Sequence, residues 1–437
     1  MSSPTPQDNN VRFFEQDRWT AGVIGLGYVG LPLLLTALER GLGAIGFDVS
    51  GDRIAKLRGG VSMVDDVSAD RLRQALDSGV ELTDDPQRLS DADAIFICVP
   101  SPLGRNRQPD LSHIEAAAET VSQIARSGQL IVLESTTYPG TTDEFLLPAL
   151  ENAGLELDRD VFLAFSPERV SPGNEMGTES IPKVVGGHSA LSGDVAEAAY
   201  RRLVASVHRV SSTEAAEMTK LLENTYRAVN IGLINEMAQL AHELEIDIWE
   251  VIEAARTKPF GFQAFYPGPG VGGHCIPLDP QYLAWRAREA NFTTLFIDAA
   301  EQVNSHMPGY NADRIAAMLN DHGQAVLDTE ILAVGISYKP DIADDRESAS
   351  LQVLTELERR GARISVLDPE VSRQRIEEHG YAYVSGEGPF SRFQLAAILT
   401  DHTDVDYQRI VDEVPLVYDA RGVFRRLGIE SKNITTL

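Results

Sequence analysis

Cysteine occurs twice in this chain, in opposite surroundings. Cys275 lies in Gly272-Gly273-His274-Cys275, inside FYPGPGVGGHCIPLDP (Phe265 to Pro280), a segment too rich in Gly and Pro to be core packing. Flanking glycines let a substrate approach the sulfur, and thiolate nucleophiles occupy accessible turns of this kind. Cys98 falls within the apolar run AIFICV, where a buried, inert thiol is expected. Asp279, four residues after Cys275, either orients a water or tunes the thiol, or caps a turn or helix beside Pro280; spacing alone leaves both open. Lys220 and Asn224 are spaced i, i+4, and Asn235 falls on the same stripe of a helix. Among Leu221, Leu222 and Ile231, such polar groups suggest a wall that stabilises an oxyanion, although exposed polar stripes are as common. No CxxC or Cys/His cluster is present, so no metal site is expected.

A second constellation begins at Gly25-Leu26-Gly27-Tyr28-Val29-Gly30, a GxGxxG that closes an apolar run and opens a helix near Leu31-Pro32. Glycines permit the tight turn and the close approach of backbone to a pyrophosphate, which rests on the positive helix N-terminus. Asp48 ends the next apolar run, 18 residues after Gly30, where a carboxylate accepts both ribose hydroxyls and repels a 2′-phosphate. The pattern points to NAD, against the alternative of a Gly-rich turn with a capping Asp. Arg53, one helical turn on, either touches the adenosine end or is a solvated surface residue.

These residues need a scaffold. From Ala21, short apolar runs alternate with helical stretches: AGVIGLG, AIGFDVS, ADAIFICVPSP, QLIVLESTT, VFLAFSPE and KVVGG. Continuous Val/Ile-rich runs of this length mark a parallel sheet buried on both faces. From Ser212, a candidate N-cap, the chain reads as helix to about Arg256, and again between the Cys275 segment and Met307. The alternation then resumes with EILAVGISY, ARISVLDP, QLAAILTD and PLVYDA. The expected fold is therefore α/β, with two doubly wound, Rossmann-like parallel-sheet domains joined by a long-helix central region. The expected boundaries are a flexible N-terminal tail over 1–20, a dinucleotide domain over 21–209, a helical domain carrying the Cys275 loop over 210–307 and a second sheet domain over 308–437.

Composition limits the functions available. The formal charge of −27 argues against nucleic-acid binding, because phosphate contacts need a basic face. No apolar stretch approaches the ~20 residues of a membrane span, and Met1 to Asn10 lacks the apolar core of a signal peptide. With only two cysteines, a reducing cytoplasm is the expected location. Lysine is confined to six positions, so any anionic ligand must meet locally concentrated cations.

Taken together the motifs resemble the UDP-glucose/GDP-mannose dehydrogenase family. GLGYVGLP, CVPSP, ESTTYPGT, SPER, EMTKLLENTYRAVNIGLINE, GGHCIPLDP, SYKPDIADDRES and DARG appear in the family's order between about Ala21 and Arg426. The resemblance implies NAD-dependent, four-electron oxidation of a nucleotide-sugar C6 alcohol to the carboxylate, through a thiohemiacetal and a thioester on Cys275. It assigns Lys220 and Asn224 to oxyanion stabilisation, Asp279 to the carboxylate behind the cysteine, and Thr136 and Glu168 to water activation. It places Gly25, Gly27, Tyr28, Val29, Gly30, Asp48, Arg53, Pro100, Thr136 and Arg346 at the cofactor. Glu168, Lys220, Asn224, Tyr266, Gly273, Lys339 and Arg421 fall at the UDP-sugar. Leu278 stands where UDP-glucose dehydrogenases usually carry Lys, which with FYPGPGVGGHCIPLDP implies a UDP-N-acetylhexosamine, UDP-N-acetylglucosamine first and UDP-N-acetylmannosamine next. Homodimers or larger homo-oligomers and a place in polysaccharide synthesis are implied in the same way. The alternatives are a two-electron dehydrogenase that stops at the aldehyde and an inactive nucleotide-sugar sensor or scaffold.

Overall fold

A computed structural model describes residues 6–64, 67–104, 108–169, 181–273 and 275–437. The chain divides into two compact units, Met1–Glu223 with Gln281–Asn291, and Asn224–Pro280 with Phe292–Leu437.

In the first unit eight strands form one sheet: β1 Thr20–Ile24, β2 Gly43–Phe47, β3 Glu81–Thr83, β4 Ala94–Ile97, β5 Gln129–Leu133, β6 Val161–Phe165, β7 Lys183–Gly187 and β8 Val207–Val210. Their order is β3-β2-β1-β4-β5-β6-β7-β8. Alternate residues of a strand feed opposite cores: Val23, Phe96 and Val132 pack on one face, Ile24, Ile97 and Ile131 on the other. This is why the strands read as unbroken apolar runs. Among the described residues the strands of this sheet pair in parallel except β6 with β7, which run antiparallel, a departure from the all-parallel expectation.

Part of the span 1–20, expected as a flexible tail, is helical. A helix covers Pro6–Phe14. Phe14 and Trp19 are 1% and 0% exposed, pack edge to face at 5.5 Å, and the Trp19 indole N–H donates to Phe14 O at 3.2 Å. Two aromatics burying their rings outweigh a polar composition.

The second unit holds a six-stranded parallel sheet: β9 Glu330–Val334, β10 Arg363–Leu367, β11 Ala382–Tyr383, β12 Leu395–Ile398, β13 Leu416–Asp419 and β14 Ile434–Thr436, in the order β11-β10-β9-β12-β13-β14. The expected boundary at 307/308 falls inside the helix Leu295–Asp321, with Pro308 in its interior. The helical region from 210 is shared between the two units. Its main helix, Thr213–Glu243, starts where Ser212 Oγ accepts from Ala215 N at 3.2 Å, and a second helix covers Ile248–Arg256. No helix of the described residues is long and apolar enough to cross a membrane.

Candidate active site and cofactor cradle

In each sheet the chain order reverses beside the first strand, at β1/β4 and at β9/β12, opening a crevice at the carboxyl ends of the strands. At the first, Gly25 adopts φ +92°, and a Cβ there would lie 2.6 Å from Cys98 O. A Cβ on Gly30 would lie 1.9 Å from Gly25 O, whereas one on Gly27 would meet nothing within 4 Å. Gly25 and Gly30 thus let the turn close on itself, and Gly27 leaves its outer side open to a ligand. The turn delivers the chain into the helix Gly30–Glu39. Asp48 is buried; its Oδ2 accepts from Leu26 N at 3.0 Å and its Oδ1 from Ser50 N at 3.0 Å. Arg53 folds back onto the same carboxylate at 2.7 Å. Tyr28 is exposed and Val29 half-buried on the turn, and Pro100 and Thr136 follow β4 and β5. Ser101 Oγ donates to Thr136 O at 2.5 Å, tying the last two segments together.

The second sheet repeats this clasp and uses it differently. Gly335 N donates to Leu367 O at 2.9 Å as Gly25 N does to Phe47 O at 2.8 Å, and Asp368 Oδ2 accepts from Ile336 N at 2.7 Å as Asp48 does from Leu26. Asp368, however, also takes Glu370 N and Val371 N, both at 2.9 Å, and faces His402 Nε2 at 3.2 Å. Burial opposes its charge, but His402 and the backbone donors hold its carboxyl below the usual carboxylate range. It is a structural clasp. His402 lies near Asp341 and Glu370 in a grouping of metal-ligand type. Its Nδ1 accepts from Asp341 N at 3.1 Å while Nε2 faces Asp368, so the ring keeps no lone pair for an ion. The cradle that fits a dinucleotide is therefore the first one.

Replacing Asp48 by Asn should narrow the preference for NAD⁺ over NADP⁺, because the carboxylate would meet a 2′-phosphate as a like charge. The ratio of kcat/KM for the two cofactors checks this; an unchanged ratio would remove Asp48 from the discrimination.

Within the first unit, Lys220 is buried and its Nζ donates to Glu168 O at 2.6 Å. The Glu168 carboxylate meets Lys183 Nζ at 3.0 Å, and Lys183 also reaches Glu134 at 2.8 Å. One turn before Lys220, the buried Glu217 accepts from Gly140 N at 2.5 Å and from Thr142 N and Oγ1 at 2.9 and 2.6 Å, fixing the turn that follows Thr136. Cys98 is buried, and burial pushes its thiol well up, as expected of an inert sulfhydryl.

Burial also pushes the Glu217 carboxyl up to about 7. A folded-state value above the unfolded one means that the folded chain binds more protons between about pH 4.5 and 7, so stability should fall as pH rises through that window. Glu217→Gln should flatten that part of the profile, read from chemical denaturation midpoints between pH 4.5 and 8; an unchanged slope would exclude Glu217 as its source.

Within the second unit, Cys275 is exposed. Its carbonyl accepts from Asp279 N at 3.0 Å, and Asp279 opens the helix Asp279–Glu289. Asn224 Nδ2 donates to Asp279 Oδ2 at 2.5 Å, with both residues buried. The glycines of the cysteine loop are sites of close packing. A Cβ on Gly268 would lie 2.6 Å from Arg421 Nη1, and one on Gly273 would lie 2.9 Å from the Tyr338 ring. His274 lies outside the described residues.

Asn235 does not join an oxyanion wall. It is 0% exposed, its Oδ1 accepts from Gly268 N at 3.1 Å and its Nδ2 donates to Asn304 at 3.0 Å, so its amide anchors the cysteine loop. Tyr266 stacks on Trp249 at 5.9 Å and donates to Glu253 at 2.8 Å. Lys339 is half-buried, its carbonyl accepting from Ser337 Oγ at 2.8 Å. Arg346, expected at the cofactor, pairs with Asp344 at 2.5 Å, and Arg421, expected at the UDP part, pairs with Asp401 at 3.0 Å, so both guanidinium groups rest on carboxylates here. Sequence reasoning missed Glu134, Lys183 and Glu217. The available signals were a Glu directly after the apolar strand LIVL and one of only six lysines opening KVVGG.

A glycine cradle at the switch point of an open, mostly parallel sheet, backed by the acid that follows β2, defines a dinucleotide-binding α/β protein. Comparison with known proteins sharpens this. The UDP-glucose/GDP-mannose dehydrogenase family matches in three successive parts: its NAD binding domain over residues 20–204, its central domain over 214–306 and its UDP binding domain over 332–426. The chain belongs to this family of NAD-dependent UDP-sugar dehydrogenases. It is 35% identical over 394 residues to a UDP-N-acetyl-D-glucosamine 6-dehydrogenase of Pseudomonas aeruginosa, covering 89% of this chain and 92% of that one. It is 33% identical over 419 residues to a UDP-N-acetyl-D-mannosamine dehydrogenase of Pyrococcus horikoshii, covering 92% and 98%. The solved structure of the UDP-D-ManNAc dehydrogenase from Pyrococcus horikoshii matches with a TM-score of 0.83 at 29% identity, covering 96% of this chain and 98% of that one.

Proposed function

We propose that this protein oxidises the C6 primary alcohol of UDP-N-acetylglucosamine to the uronic acid in two NAD-dependent steps through a covalent intermediate on Cys275. The observation that carries the reading is the exposed Cys275 at the head of a helix whose first residue, Asp279, is clasped by the buried Asn224. A structural cysteine would be buried, and a surface one would need no buried polar pair behind it.

The chemistry follows from the residue types. NAD⁺, when bound at Gly25, Gly27, Gly30 and Asp48, takes up one hydride in each oxidation. The alcohol loses a proton as C6 loses its hydride, and the Lys220 ammonium with the Asn224 amide stabilises the oxygen's developing charge. The Cys275 thiolate adds to the aldehyde carbon, and loss of a second hydride and the hydroxyl proton gives the thioester. Water, directed by Thr136 and Glu168, adds to the carbonyl; the C–S bond breaks, releasing the acid and the thiolate. Lys339 and Arg421 hold the UDP part, with Tyr266 and Gly273 at the sugar, and Tyr28, Val29, Arg53, Pro100 and Arg346 complete the cofactor contacts.

Leu278 and the names of the glucosamine relatives support the substrate; similarity to the Pyrococcus enzyme supports UDP-N-acetylmannosamine as the second reading. Mass identification of products from purified protein, NAD⁺ and a panel of UDP-N-acetylglucosamine, UDP-N-acetylmannosamine and UDP-glucose separates these. Highest kcat/KM on UDP-glucose would overturn the hexosamine assignment, and an absence of NADH with every sugar would favour a non-catalytic sensor.

We also infer a homodimer. Leu222, Tyr226, Leu233, Leu240 and Leu244 are exposed and fall on one stripe along and just beyond the helix Thr213–Glu243. Aligned apolar side chains of this extent mark an interaction face. Leu233→Glu with Leu240→Glu should convert the protein to monomers in sedimentation velocity; an unaltered oligomer would place the interface elsewhere.

A further inference from the structure

β7 reverses direction against β6, and the reversal has a chemical result. The two strands pair with Ala164 opposite Gly187 and Phe165 opposite Gly186. The same register, continued past the end of β6, sets Glu168 across from Lys183, the first residue of β7. A parallel β7 would begin at the other edge of the sheet, a strand's length away. Running antiparallel, it brings an ammonium to the edge where β5 and β6 end and where Glu134 and Glu168 follow them.

Lys183 is 5% exposed. Its Nζ lies 2.8 Å from Glu134 Oε2 and 3.0 Å from Glu168 Oε2. The Tyr200 hydroxyl donates to the other oxygen of Glu134. Burial works against the lysine's charge, but Glu134 and Glu168 more than offset it and hold the group protonated. Burial pushes the Glu134 carboxyl up. Glu168 is thereby gripped at separate points: Oε2 by Lys183, Oε1 by Arg169 N at 2.7 Å and its carbonyl by Lys220 at 2.6 Å.

We propose that Lys183 is a positioning residue for thioester hydrolysis, its ammonium fixing the Glu168 carboxylate in the orientation that receives the proton of the attacking water. This rests on the assignment of Glu168 to water activation. Water adds to the thioester carbonyl as its proton passes to Glu168, the C–S bond breaks with the electron pair leaving on the Cys275 sulfur, and no oxidant is consumed. Lys183 neither gains nor loses a proton. Both hydride transfers precede this step and do not require it.

The test is rapid-mixing kinetics with mass analysis of the quenched enzyme, on wild type, Lys183→Met, Lys183→Arg and Glu168→Gln, with NAD⁺ and the best UDP-sugar of the panel. Lys183→Met should give a burst of two NADH per active site, then turnover reduced about 10- to 100-fold, the range for lost support of a functional group. The sugar acid should accumulate on the Cys275 peptide with KM values little changed. Lys183→Arg, which restores the charge, should recover most of the turnover and lose the adduct. A merely structural lysine would slow the enzyme without trapping the acyl form. If Lys183→Met is slow without adduct while Glu168→Gln accumulates it, the role of Lys183 is overturned and that of Glu168 stands. If neither accumulates adduct, the assignment of Glu168 fails and the proposal with it. Should Lys183→Met not fold, Lys183→Gln, uncharged but still able to hydrogen bond, carries the same comparison.

Discussion

Cys275→Ser should bind NAD⁺ and UDP-sugar as the wild type does and lose overall acid formation by about 10³-fold or more, because a hydroxyl without an adjacent base is a far poorer nucleophile than a thiolate. The fold should be indifferent to the change. Cys275 is exposed, serine is close to cysteine in size, and the backbone carbonyl that accepts from Asp279 N is kept by the substitution. Thermal stability should therefore stay within about 0.5 kcal/mol, as for a surface substitution. The first oxidation needs no sulfur, so trace aldehyde is expected in the variant. Calorimetric titration of both ligands, with acid quantified by mass, checks the result. Near-normal acid formation would show that the cysteine is not the nucleophile.

Gly27→Ala and Gly30→Ala should behave oppositely although they lie in one turn. A Cβ on Gly30 would fall 1.9 Å from Gly25 O and 2.9 Å from Val23 Cγ1, contacts between backbone and core that cannot both relax. Overpacking of this kind costs up to ~3 kcal/mol or more, and a loss of fold or a sharp fall in Tm is expected. A Cβ on Gly27 meets no protein atom within 4 Å, so that variant should melt like the wild type. Its methyl would occupy the side of the turn that a pyrophosphate approaches, and NAD⁺ affinity should fall at least 10-fold. Differential scanning calorimetry with a fluorescence titration of NADH distinguishes the two. Wild-type affinity in Gly27→Ala would place the cofactor elsewhere.

Local chemistry was legible in the sequence, and long-range pairing was not. The ten apolar runs correspond to β1, β2, β4 to β7, β9, β10, β12 and β13, because burial on both faces demands unbroken apolar strands. β3, β8, β11 and β14 were missed; they are two to four residues long and none is buried throughout, too short for a pattern. Gly25, Gly27, Gly30 and Asp48 were legible because turn geometry is written in adjacent residues. Asn224 and Asp279 are 55 residues apart and meet only through the fold. Lys183 reaches Glu168 because a strand reverses, which no periodicity announces. Asn235 shows the converse: its place on the Lys220 stripe suggested chemistry, yet both ends of its amide are consumed in anchoring Gly268 and Asn304. A helix stripe gives direction but not depth, and depth decides whether a polar group meets substrate or protein.

The claim that four electrons pass through a covalent stage on Cys275 is tested most directly by counting NADH against sugar consumed under single-turnover conditions, while digesting the quenched enzyme for mass analysis. Two NADH per UDP-sugar, with the sugar mass transiently on the peptide containing Cys275, is the expected result. One NADH per sugar with aldehyde as product would contradict it, leaving a simple alcohol dehydrogenase on the same dinucleotide fold.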